Sequence, residues 1–482
     1  MLQDLTADLA LRLLQNQLIR LLSDAEQHEA RDLLRELLHL PIAVVQAAAC
    51  MNASSMTVQE YRVQLDKHKE LSLRYNSDPP EDNVRSSGVA NPVATTLSVS
   101  MDQMTRSDTY ATDYLSLAAC VDRKDISLDL LEAASPQRRE DAIKVLDKFT
   151  IITRRPAESA LDVHRLVHRA LRARLQVQGR LQHWTQYTIK QLLRVFPDDD
   201  HSNRSKWRRL LPHAQYTLSH SLTVDDDKER LDLAGKCASA LYSDGRYKEA
   251  EELWLQVMQT RKKVLSDEHP DTLTSMANLA LSYLNQGQWK EAEELQVQVM
   301  QTTKRVLGDD HLDTLGSIAN LADTYRNQGR WKESEELGVQ VMQTAKRVLG
   351  DDHRDTLTSM GNLAMTYRNQ GRWKEAEELE VQVVQARKRA LGDEHPDTLT
   401  SMNNLAMTYS NQGRWTEAEE LQVQTMLTMK RVLGDEHPST LACMHNLTNS
   451  LQSQARYKEA VALKERCFQS RQQNRGGEHP DT

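Results

Sequence analysis

Aromatic side chains are scarce in this 482-residue chain, at 5% overall with only three Phe. Sheet proteins draw heavily on aromatic and β-branched residues. This shortage, beside abundant Leu, Ala, Glu, Gln and Lys, argues for a mainly helical fold. No stretch approaches the ~18 uncharged apolar residues that a membrane-spanning helix needs. The opening MLQDLTADLALRLL carries Asp4 and Asp8 where a secretory leader would be basic and then apolar, so a cytoplasmic protein is expected. The five cysteines are scattered and form no CxxC pair, which excludes a disulfide framework and predicts reduced, partly buried thiols. Glycine is nearly missing ahead of Gly235, where only Gly88 and Gly179 occur. Neither lies in a glycine-rich loop ending in Gly-Lys-Ser/Thr, the backbone cradle that phosphate binding requires. Nucleotide binding is therefore not expected, and no cofactor either. No Ser/His/Asp, Cys/His, paired-carboxylate or metal-ligand spacing is present, so no catalytic or metal site is expected and the chain reads as a non-enzyme.

Charge is unevenly spread. Between Arg138 and Arg209 there are 17 Lys and Arg against 8 Asp and Glu, a local excess of nine, while the whole chain carries −8. A basic middle and an acidic remainder can attract each other or different partners.

What the sequence does have is repetition. Gly245, Gly287, Gly329, Gly371 and Gly413, with Ala455 in sixth place, recur every 42 residues, each followed by Arg or Gln and then Trp or Tyr. His269, His311, His353, His395 and His437 keep the same period. Each unit reads as two helices. In the first, from Thr398 to Gln412, Leu399, Met402, Leu405, Ala406 and Tyr409 form one apolar stripe. Asp271, Asp313, Asp355, Asp397 and Ser439 are expected to cap these helices. The turn glycine supplies a left-handed helix end. The second helix opens with acids and closes with bases, as at Trp373 onward. One hairpin cannot bury its apolar face alone, so neighbours must stack. The Trp column (Trp289, Trp331, Trp373, Trp415) is expected to pack across the hairpin. The His column is expected to cap loops, because imidazoles a full repeat apart cannot share an ion.

These residues resemble the tetratricopeptide family, in the long form found in kinesin light chains. The carriers are Asn404-Leu405-Ala406-x-x-Tyr409, Gly413, Glu417-Ala418-Glu419 and the connector from Leu433. The resemblance implies a right-handed superhelix over 231–482, about six repeats, with another opening at Gly477 and stopping at Thr482. It further implies a concave groove that takes a peptide or protein. Asn278, Asn320, Asn362, Asn404 and Asn446 match the family's groove asparagines; a second column at Asn285, Asn327, Asn369 and Asn411 suits either groove contact or helix-end turns. Amides both donate and accept, so such a ladder can satisfy a peptide backbone. Arg326 and Arg368 map to the same face and are expected to meet a partner carboxylate, with Asp323 partly neutralising Arg326.

The first half has a helical pattern over 1–75, a polar linker over 76–108 and a winged-helix-like domain over 109–177. A helical connector follows over 178–230. Helices are expected at Tyr110–Val121, Ser127–Ala134 and Pro136–Phe149, then two short strands within FTIITRRPAESALDVH and a basic helix from Arg165. This order resembles the rear of the NB-ARC module of NLR-like proteins. Leu40-Pro41-Ile42-Ala43 matches its GLPL motif with His39 in place of Gly, and His164 matches the His of its Met-His-Asp motif. In the family, that proline packs near adenine and that histidine senses the diphosphate. Without the phosphate loop, Pro41 and His164 are expected to be structural. The favoured reading is a protein-binding scaffold, the regulatory part of an NLR-like protein. Two alternatives are nucleic-acid binding through Arg154, Arg155, Arg165, Arg169, Arg172 and Arg174, and a kinesin-light-chain-like cargo adaptor. The latter would call for a heptad coiled coil, which is lacking.

Overall fold

The computed structural model describes residues 5–74, 92–220 and 228–475. Residues 76–91 of the linker expected over 76–108 and the repeat opening at Gly477 lie outside the described residues. The chain divides into two compact units, Met1–Ala240 and Leu241–Thr482. No described helix is long and apolar enough to cross a membrane.

The first unit opens with α1 (Ala7–Gln17), α2 (Asp24–Glu36), α3 (Pro41–Ser54) and α4 (Val58–Arg74). Ser23 and Glu26 form a reciprocal capping box at the start of α2. Residues expected to lie in a linker form α5 (Pro92–Ser107) instead, and most of its side chains are buried. Its Val, Ala, Thr and Ser are small enough to pack on every side, with Thr96 bonded to Gln46 of α3 at 3.0 Å. The Pro at its first position, which reads as a loop signal, suits a helix start equally well.

Next come α6 (Thr109–Ala118), β1 (Ile126–Ser127) and α7 (Pro136–Lys148). The hairpin of β2 (Ile152–Arg155) and β3 (Ala160–Val163) follows, then α8 (Arg165–Val177), α9 (Leu181–Val195), α10 (Arg204–Ser219) and α11 (Lys228–Ser243). The three strands pair antiparallel in the order β1-β3-β2. The expected helix over 127–134 is replaced by β1 and a single 3-10 turn at Leu128–Leu130, because Ile126 and Ser127 pair with Leu161 and Ala160. Helix, strand, short turn, helix and hairpin in this sequence make the winged-helix arrangement.

The second unit is a tandem array. First helices are α13 (Pro270–Asn285), α15 (Leu312–Asn327), α17 (Arg354–Asn369), α19 (Pro396–Asn411) and α21 (Pro438–Ser453). Second helices are α12 (Tyr247–Leu265), α14 (Trp289–Leu307), α16 (Trp331–Leu349), α18 (Trp373–Leu391), α20 (Trp415–Leu433) and α22 (Tyr457–Arg475). Each first helix is capped by histidine, not by the expected Asp or Ser. The Nδ1 of His269, His311, His353, His395 and His437 accepts the backbone N–H two residues on, at 3.1–3.2 Å. The expected caps fall inside the first turn, where an acid still favours the helix dipole.

The turn between helices carries a repeated latch. Gln328 Nε2 donates to Glu293 Oε2 of the preceding second helix at 2.8 Å and to the Trp289 carbonyl at 3.2 Å. Arg330 Nη1 reaches Glu293 Oε1 at 2.8 Å, pairs with Glu333 of its own helix and lies 4.0 Å over the Tyr325 ring. Arg372 and Arg414 repeat this with Glu335 and Glu377 at 2.7 and 2.8 Å. The Trp column is not core: Trp289, Trp331 and Trp373 are 41–45% exposed. Trp289 stands one turn ahead of the buried stripe of Ala292, Gln296, Val299 and Thr303, at its edge, and Ala292 with its equivalents closes the hairpin instead.

Candidate protein-binding groove

The repeats of the second unit can be compared with one another. Leu273, Leu279 and Asn278 have the same residue 42, 84, 126 and 168 positions on, and the first four turns keep Tyr283, Tyr325, Tyr367 and Tyr409. Against that constancy, three first-helix positions change freely. They read Ala277, Ala319, Gly361, Asn403, His445; then Leu281, Asp323, Met365, Met407, Asn449; then Leu284, Arg326, Arg368, Ser410, Gln452. Steps of four and three put them on one stripe of the helix. Apart from Asn403, all are half-buried or exposed. Thr274, Gly316, Thr358, Thr400 and Ala442 extend the stripe by one turn and are exposed.

Asn278, Asn320, Asn362, Asn404 and Asn446 run beside this stripe and are half-buried. Among the described residues the first four make no side-chain hydrogen bond, whereas Asn446 Nδ2 donates to Asn403 Oδ1 at 3.3 Å and meets Met407 Sδ at 3.1 Å. The second asparagine column ends its helices and is exposed; Asn285 donates to the Leu281 carbonyl at 3.0 Å and to Tyr242 at 2.7 Å, and Asn327 to the Asp323 carbonyl at 2.9 Å. These residues serve the turn.

The two arginines do not stand ready for a partner. Arg326 Nη2 pairs with Asp323 at 2.9 Å, as the sequence suggested. Arg368 turns inward, its side chain 10% exposed, to Glu380 Oε1 at 3.4 Å and the Asn404 carbonyl at 3.3 Å. Glu380 is 3% exposed. Burial pushes its carboxyl up and the Arg368 guanidinium down, against their mutual attraction. Glu380 belongs to a variable column of the second helices, Trp254, Gln296, Gly338, Glu380 and Gln422, all beneath the surface apart from the glycine, against which Leu363 packs so closely that an added Cβ would lie 3.3 Å from its Cδ1. The sequence reading passed over both variable sets, although comparing the repeats would have shown them.

In the first unit Pro41 occupies the first position of α3. His39, where the resembled motif has Gly, keeps the left-handed backbone at φ 52°. His164 caps α8, its Nδ1 accepting the Leu166 N–H at 3.2 Å. Among the described residues no group of three or more His, Cys, Asp and Glu is placed to hold a metal ion.

Family models of the tetratricopeptide repeat match residues 236–271, 272–313, 314–389, 381–426 and 397–473. The array belongs to the tetratricopeptide-repeat family. Its tetratricopeptide repeats are 35% identical to the nearly identical TPR-like repeats crystallised from Podosopora anserina under the name of a kinesin light chain, covering 43% of this chain and 97% of that one, at a TM-score of 0.37. A nucleotide-binding leucine-rich repeat (NLR)-like protein of Hyaloscypha variabilis is 37% identical over 272 residues. That match takes in 55% of this chain and 27% of the relative's length. A STAND-type signal-transduction ATPase with a tetratricopeptide repeat sensor, from Pyrococcus horikoshii, aligns over 89% of this chain and 72% of its own at 13% identity and a TM-score of 0.39.

Proposed function

We propose that the array is a protein-binding scaffold whose first-helix stripe takes a peptide or protein segment, as the sensor part of an NLR-like protein. The carrying observation is internal. Repeats that share their capping His, their Asn column and their core Leu positions differ from one another along one accessible stripe, as well as along the buried column that includes Glu380. Packing alone gives no reason for the variation along the stripe, because the same hairpin tolerates Leu281, Asp323 and Met365 at one site. In this reading the constant asparagines hold the ligand backbone and the variable stripe selects its side chains.

The nucleic-acid alternative is weakened because four of its six arginines are engaged within the chain, while Arg165 and Arg169 are exposed. Arg154 pairs with Glu140 and Asp147 at 2.7 and 2.6 Å, Arg155 with Glu158, and Arg174 with Asp102 at 3.0 Å. Arg172 donates to the Ala119 and His220 carbonyls. A phosphate contact needs a cation free to neutralise the phosphate and so displace the counterions condensed on the nucleic acid.

The test is selection of peptides from a displayed random library on the full chain. Selected peptides should lose at least about tenfold in affinity when Asp323, Met365 and Met407 are changed together to Ala. They should keep it when Lys290, Lys332 and Lys374 are changed on the second helices. Binding that follows the lysines and ignores the stripe would overturn the reading.

A further inference from the structure

In the first unit, α6 and α9 face each other across a cleft of about 590 Å³, within the range of small-molecule sites. Tyr110, Asp113 and Tyr114 line it from one stripe of α6. Arg180, Trp184 and Tyr187 line it from one stripe at the start of α9. Four aromatic rings thus meet in one cleft of a chain that has few.

The floor is built and fixed. Tyr114 and Trp184 are 5% and 6% exposed. Tyr114 donates its hydroxyl to the Glu132 carbonyl at 3.0 Å, and Tyr187 donates to the Glu132 carboxylate at 3.3 Å. Trp184 and Tyr187 meet edge to face at 5.3 Å between centroids. The buried Trp184 Nε1 has no acceptor among the described residues. An indole N–H in that position normally finds one.

The rim carries one side chain of each charge with no ion-pair partner within 4.0 Å among the described residues. Asp113, on α6, has no ion pair within 4.0 Å among the described residues, and the cation acting on it is Arg180 across the cleft. Arg180 lies 5.8 Å from the Trp184 ring centroid and has no carboxylate partner there either. A simple cation would satisfy Asp113 and meet Arg180; a simple anion would do the reverse. A ligand with both charges beside a flat apolar body satisfies both walls and the floor.

We infer that this cleft binds a small zwitterion with a planar ring, of the class of free aromatic amino acids. The carboxylate lies at Arg180, the ammonium at Asp113, and the ring packs on Tyr114 and Trp184. The site is separate from the array and from Pro41 and His164, none of which lines the cleft.

Calorimetric titration of the full chain with L-phenylalanine and with L-tryptophan tests this. Saturable heat is expected, with binding weakened about tenfold or more for phenethylamine, which lacks the carboxylate, and for 3-phenylpropionate, which lacks the ammonium. Arg180→Met should weaken the amino acid but leave phenethylamine unchanged, and Asp113→Asn should do the same with 3-phenylpropionate. Both changed side chains are at the exposed rim, so either variant suffices if the other fails to fold. No saturable heat with either amino acid, or equal binding of all four compounds, would overturn the inference.

Discussion

His213 shows how a single residue ties unit stability to acidity. Its Nε2 donates to the Asp125 carbonyl at 3.0 Å, and its buried Nδ1 has no partner among the described residues. A second proton would place charge on that orphan nitrogen. His168, donating to the Val121 carbonyl at 2.9 Å, is buried as well. Burial holds both imidazoles below the ordinary value of 6.5, against the pull of Asp122 and, at His213, of Asp125. The unfolded chain therefore takes protons first, so this stability is complete above 6.5 and lost as pH falls below it. Denaturant midpoints of the first unit should drop between about pH 7.5 and about pH 5, and drop less in His213→Gln. Equal slopes in both proteins would contradict the account. Ser266, ending α12 at φ 103° and ψ 165°, holds a backbone almost reserved for glycine, and Gly308, Gly350, Gly392 and Gly434 stand at its equivalents. Ser266→Gly should stabilise the array by about 1 kcal/mol, read from urea unfolding; a loss would show that the serine side chain contributes more than the strain costs. All five cysteines are free and buried, more deeply than the partly buried thiols expected from the sequence, and desolvation pushes the Cys237 and Cys443 thiols up to about 12. Where the sequence misled was the helix cap. Asp is the stronger general cap former, but the connector places His one residue ahead of the helix, and geometry decides.

Among helices, the buried Arg368–Glu380 pair is the feature most open to test. The next repeat holds Ser410 and Gln422 at the same two places. Glu380→Gln alone leaves a buried guanidinium without its counter-charge and should cost about 2 kcal/mol. Adding Arg368→Ser copies the neighbouring repeat and should recover most of that loss. A double variant as unstable as the single would show that the pair is not the coupled unit described here. The latch offers a second test. Arg414→Ala removes contacts to Glu377 and Glu417 and the stacking on Tyr409, all partly solvent-exposed, so a loss of only about 1 kcal/mol is expected by thermal unfolding. Helix existence and period were legible because hydrophobic spacing and turn glycines reinforce each other in every repeat. The β1 strand was not, since two residues have no period to read, and α5 was hidden because small polar side chains in a packed helix resemble those of a loop.

For the whole chain, the sequence identified the stacked architecture but not the accessible stripe along which the repeats differ. Columns that repeat announce themselves; columns that vary have to be sought by difference. Arg326 and Arg368 illustrate the cost of mapping by resemblance, because position on a helix face does not reveal that a long side chain folds back to an acid of its own chain. The three units whose turns carry Arg330, Arg372 and Arg414 bear both halves of the latch, an acid offered to the unit that follows and an arginine directed to the unit that precedes. Excising residues 330–371 would join Gly329 to Arg372 and present that arginine to Glu293, the residue Arg330 now meets. A chain so shortened should remain helical and unfold within a few degrees of the parent by circular dichroism. Copy number is then free to change without any new joint having to be invented, and a gene carrying such units can lengthen or contract the array one whole module at a time.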